Sequence, residues 1–99
     1  MNVKNEGIKK MNIKVSNLDD ATRTYDITAN VWVNGNGEIE NVEDGAVAKD
    51  DRTVATFARF SGSSHKTFIG LTPDEEDAVS AEIRAFVDGA KVMATSINL

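Results

Sequence analysis

Ninety-nine residues are enough for one domain with a single modest core. Hydrophobic residues at 40% and charged residues at 27% make an ordered globular composition, not a disordered one. The absence of cysteine excludes disulfides, thiolate metal sites and cysteine nucleophiles. A net charge of −5 disfavours direct binding to nucleic-acid phosphate, where affinity comes from lysine and arginine, and leaves a basic protein partner open.

The first ten residues, MNVKNEGIKK, carry Lys4, Lys9 and Lys10 but no apolar run that could form a signal-peptide core. They read as a flexible basic leader ahead of a domain spanning 11–99. Met11 offers an alternative start of translation. No segment is apolar over a bilayer-spanning length, so the expectation is a cytoplasmic protein with no membrane partner.

In chain order, Ile13 to Leu18 is a short candidate strand closed by Asn17-Leu18-Asp19-Asp20. Thr24 to Asn34 is the clearest strand. Tyr25, Ile27, Ala29, Val31 and Val33 alternate onto one face, and Thr24, Asp26, Thr28, Asn30 and Trp32 take the other. Asn34-Gly35-Asn36-Gly37 predicts a tight hairpin, with a return strand from Glu38 to Glu43 in which Ile39 and Val42 do not share a parity. Asp44-Gly45 reads as a turn and Ala46 to Asp51 as a loop. Arg52 to Phe60 and His65 to Leu71 form a last hairpin. A type II′ turn at Gly62-Ser63 would pair Phe60 with His65 and Phe57 with Phe68.

Thr72-Pro73-Asp74-Glu75 carries the signature of a helix start: a threonine N-cap, proline at the first helical position and a glutamate completing a capping box. Val79, Ile83, Phe86, Val87 and Ala90 mark one face at helical spacing, and continuation past Gly89 to about Ala94 is favoured. Strands first and one helix last give the fold class: α+β, an antiparallel sheet of four to five strands packed on one face by a single C-terminal helix. The expected core comprises Tyr25, Ile27, Val31, Val33, Val54, Phe60, Ile69, Leu71, Val79, Ile83, Phe86 and Val87.

The segment from Phe60 to Phe68, FSGSSHKTF, holds the single histidine and three serines. Ser64 and His65 are neighbours, so on a strand they point to opposite faces and cannot pair as nucleophile and base. The segment also leads into a strand, whereas a phosphate cradle leads into a helix N-terminus. It reads as a hairpin tip. Asp74-Glu75-Glu76-Asp77 lacks the alternate spacing of a calcium loop and complements the helix dipole. No catalytic, cofactor or metal residue is assigned, and the chain reads as a non-enzyme.

Both parities of the last hairpin are apolar, yet one helix covers one sheet face. The second face, bearing Trp32 with a phenylalanine set of the hairpin, is therefore read as an interface: Trp32, Phe57 and Phe68, or Phe60 and Ile69 if Phe57 and Phe68 lie under the helix. The first functional reading is a non-catalytic interaction module that forms a homodimer through this face and engages another protein. The alternative is an acidic inhibitor or adaptor, of the kind phages and mobile elements encode, that blocks a basic nucleic-acid-binding surface. Its contact surface would be Glu38, Glu40, Glu43, Asp44, Asp74, Glu75, Glu76 and Asp77.

Overall fold

The computed structural model describes residues 11–97; the expected leader, 1–10, lies outside the described residues. Five strands, β1 (Met11–Ser16), β2 (Asp26–Val33), β3 (Ile39–Lys49), β4 (Arg52–Phe60) and β5 (Ser63–Phe68), precede one helix, α1 (Pro73–Thr95). The strands form one antiparallel sheet in sequence order, a meander with β1 and β5 at its edges. α1 packs on one face, and the fold is α+β as the pattern predicts.

β2 sits one strand in from the β1 edge and shows the cleanest period of two. Ile27, Ala29, Val31 and Val33 are buried, while Asp26, Thr28, Asn30 and Trp32 between them are half-buried. β1 lies two residues earlier than its apolar run suggests, because Asn17 is taken up in closing the β1–β2 connection. Its Nδ2 donates to the Tyr25 carbonyl at 2.9 Å and its Oδ1 accepts from the Ile27 N–H at 2.8 Å. Arg23 braces the same loop, donating to Asp26 Oδ1 at 2.6 Å and to the carbonyls of Leu18 and Asp20 at 2.9 and 3.0 Å.

β3 corrects the sequence reading most. It does not stop at Glu43 but runs to Lys49, so Asp44-Gly45 is no turn and Ala46–Lys49 no loop. Trp32 pairs with Asn41 and Val33 with Ile39, which leaves Glu40 as an extra residue and reconciles the parities of Ile39 and Val42. A second bulge falls at Asp44, with φ of 53°, between the Val42–Arg59 and Gly45–Phe57 pairs. Past it Val47 regains the buried face. The reversal from β3 to β4 is made at Asp50-Asp51, both at positive φ (53° and 60°), the geometry of a type I′ turn.

The last hairpin turns one residue earlier than expected. Ser61 and Gly62 occupy the positive-φ positions at 49° and 85°, so Phe60 faces Ser63, Phe57 faces Lys66, and Ala55 faces Phe68. A type I′ turn at Ser61-Gly62 replaces a II′ turn at Gly62-Ser63, and the register moves by two residues. Phe57 and Phe68 stay on one face, and that face lies under α1. Phe57 is buried edge-on to Phe86, with ring centroids 6.2 Å apart at 76°. Phe60 and Ile69, expected in the core, are instead 43% and 51% exposed.

α1 starts as predicted. Glu75 N–H donates to Thr72 Oγ1 at 3.3 Å, and Thr72 N–H donates to Glu75 Oε1 at 3.1 Å. Gly89 lies inside the helix, which ends at Thr95 with Ser96 as its C-cap. Val79, Ile83, Ala90 and Ala94 are buried and Phe86 and Val87 partly so. The small residues at the C-terminal end let α1 approach the β2–β3 turn closely: a Cβ on Gly37 would lie 3.3 Å from the Ala94 carbonyl oxygen. Asn34 organises that turn, its buried Oδ1 accepting from the N–H groups of Asn36 and Glu38 at 2.9 and 3.0 Å.

Candidate interaction surface

The face opposite α1 is covered by no other described element. The strand registers set its side chains in rows. One row runs Asn12, Trp32, Asn41, Phe60 and Ser63 across all five strands. Another runs Ser16, Thr28, Ala46, Thr56 and Thr67, with Asn30, Ala58 and His65 between the two. Trp32 and Phe60 are thus two strands apart, about 10 Å. They are the large apolar side chains of a surface otherwise made of alanine, threonine, serine and asparagine. The charged members are Lys14, Asp26, Glu43 and Asp44.

Trp32 takes this face because Val31 and Val33 beside it are fully buried under α1. Phe57 and Phe68 do not accompany it: the structure puts them on the α1 side. Phe60, from the alternative set, stands in Trp32's row. Sequence alone left the two sets unresolved because each parity of the hairpin carries large apolar groups.

The acidic residues named from sequence do not form one surface. Glu38 and Glu40 sit where β3 leaves the β2–β3 turn, beside the C-terminal end of α1. Asp74, Glu75, Glu76 and Asp77 occupy the other end of a 23-residue helix, about 35 Å away at 1.5 Å per residue. Glu43 and Asp44 lie on the open face in the middle of β3, where Asp44 Oδ2 accepts from Asn30 Nδ2 at 3.1 Å. Glu75 is engaged in the capping box. Its hydrogen bonds from the Thr72 backbone and then side chain hold its pKa below the ordinary value of 4.5, with Lys49 and Arg52 adding attraction. Asp20 is held below 3.8 by hydrogen bonds from the hydroxyl and then the N–H of Thr22, in the loop that Arg23 braces.

Ser64 and His65 fall on opposite faces of β5, as the alternation requires. His65 borders a shallow open-face depression of about 430 Å³ at the Asp44 bulge, together with Thr56 and Thr67. Among the described residues no group of three or more histidine, aspartate or glutamate side chains is arranged to hold a metal ion. No helix among them is long and apolar enough to cross a membrane. The chain matches no protein-family model, no curated protein and no solved structure.

Proposed function

We propose that this chain is a non-catalytic protein-interaction module that pairs with a second copy of itself through the open face of its sheet. The observation that carries the reading is the Trp32–Asn41–Phe60 row on the face away from α1. Tryptophan and phenylalanine are enriched at the centres of protein interfaces, where they exclude water over a large area at small entropic cost. The short side chains around them, Thr28, Ala46, Thr56 and Ala58, suit face-to-face sheet packing at about 10 Å. The four charged residues of this face, Lys14, Asp26, Glu43 and Asp44, all stand off the Trp32–Asn41–Phe60 row, so a contact centred on that row can leave them hydrated at its rim.

Sedimentation equilibrium tests the reading. The wild type is expected to be a dimer at micromolar concentration, with little response to salt because the contact is apolar. Trp32→Glu should sediment as a folded monomer, since a buried unpaired carboxylate is costly. A monomeric wild type refutes the homodimer. The acidic inhibitor or adaptor then becomes the better reading, to be recognised by binding to a basic partner that weakens as salt rises.

A further inference from the structure

The other side of the sheet holds a second recess, independent of the open face. α1 runs from the β5 end of the sheet towards the β2–β3 turn and so leaves the tip of the β4–β5 hairpin uncovered. A groove of about 370 Å³ opens in that angle. Its floor is apolar, formed by Val42, Phe57, Ile83 and Val87. Its rim carries Arg59 from β4, Lys66 from β5, and Arg84 and Lys91 from α1. These are four of the chain's eleven basic residues, gathered from three elements of a protein with net charge −5. Asp88 also lines the groove and stands 3.9 Å from Lys91. The ion pairs seen among the described residues, Arg23–Asp26 and Lys91–Asp88, do not involve Arg59, Lys66 or Arg84, and Glu40 adjoins Arg59 and Lys91 at one end of the groove.

The backbone supplies the second observation. β5 is a sheet edge. Ile69 N–H donates to the Val54 carbonyl at 2.8 Å, and the antiparallel ladder alternates from there. The bonded pairs are therefore Thr56–Thr67, Ala58–His65 and Phe60–Ser63. The N–H and C=O groups of Ser64, Lys66 and Phe68 accordingly point outward. Those same residues send their side chains to the α1 side, two of them into the groove. An edge lysine by itself guards against unwanted strand pairing. A guard has no need of three further cations supplied by β4 and α1.

We propose that this groove binds an extended acidic segment of a partner protein by strand addition to β5. The segment's backbone pairs with Ser64, Lys66 and Phe68, and acidic side chains at alternate positions meet Arg59, Lys66, Arg84 and Lys91. Strand addition draws affinity from the main chain and specificity from alternate side chains, and here both are set on one edge. The occupant is a protein segment and not a nucleic acid, because an unpaired strand edge recognises a peptide backbone.

The test is fluorescence anisotropy on the full chain with a labelled peptide of roughly eight residues alternating glutamate and threonine. Two further peptides accompany it, one with lysine for glutamate and one N-methylated at alternate backbone nitrogens. Saturable binding that weakens with salt is expected for the glutamate peptide alone. N-methylation should weaken it at least about tenfold, as should Lys66→Glu combined with Arg84→Glu. Both positions are exposed, and circular dichroism checks that the variant is folded. Trp32→Glu, on the opposite face, should bind the peptide as the wild type does, so failure of the dimer leaves this result intact. Absence of saturable binding overturns the proposal. Equal binding of the N-methylated peptide, or of a labelled thymidine oligonucleotide, also overturns it, since charge alone would then explain the groove.

Discussion

Gly45→Ala is expected to be among the most damaging small substitutions in this protein. Gly45 follows the β3 bulge and faces Phe57 on β4. A Cβ built there would lie 2.5 Å from the Phe57 carbonyl oxygen and 2.6 Å from two of its ring carbons. Turning the ring away relieves only the ring contacts, and it forfeits the edge-on packing against Phe86, worth about 0.5–1.5 kcal/mol beyond area burial. The carbonyl contact remains and forces β3 and β4 apart, an overpacking cost of about 1–3 kcal/mol. Together these give a loss of about 1.5–4.5 kcal/mol, equivalent to roughly 6–35 °C in Tm for a domain of this size. Urea unfolding followed by the fluorescence of Trp32, the single tryptophan, measures it directly. A loss below about 0.5 kcal/mol with an unchanged m-value would refute the claimed approach of Gly45 to Phe57.

Gly89→Ala provides the opposite expectation. It lies in the C-terminal half of α1, where a built Cβ meets nothing within 4 Å beyond the adjoining helix backbone, so unfolding free energy should rise by about 0.8–1 kcal/mol. A decrease would mean that α1 breaks at Gly89. Thr72→Ala removes the hydroxyl that accepts from Glu75 N–H and should lower stability by about 1 kcal/mol, measured by the same urea transition. Asn34→Ala leaves the Asn36 and Glu38 N–H groups without their buried acceptor, an expected loss of about 1–3 kcal/mol. Thermal melts that do not separate it from wild type would refute the role given to Asn34. Glu75 has a folded-state pKa below its ordinary value, so its stabilisation is present above that value and is lost as pH falls through the folded one. Wild-type Tm should therefore drop more than that of Glu75→Gln between about pH 5 and about pH 3, and parallel curves would count against the capping-box carboxylate.

Local chemistry made some of this protein legible from its sequence. The alternation from Tyr25 through β2 to Val33 needed only a period of two, and Thr72, Pro73 and Glu75 needed only their own hydrogen-bonding geometry. Order of elements and fold class followed from them. β3 was beyond that reach, because Asp44-Gly45 has the same local preference whether the chain reverses or bulges. Pairing with β2 on one side and β4 on the other keeps the strand going, and no residue within the segment records that. The Ile39–Val42 parity mismatch was a visible trace of the other bulge, at Glu40, but its meaning depended on knowing that both residues face the core. The last hairpin shows the same limit. With Phe57 and Phe68 on one parity and Phe60 and Ile69 on the other, either face could have been buried. The position of α1, and the fit of the Phe57 ring over Gly45 and against Phe86, selected the first pair and left Phe60 in the row of Trp32, across Asn41. The cationic groove is tertiary throughout: Arg59, Lys66, Arg84 and Lys91 span more than thirty residues of sequence and meet only because α1 crosses the sheet at a slant. Periodicity and capping are properties of a segment and can be read from it, whereas a bulge, a covered face or a shared groove belongs to the neighbours that the fold supplies.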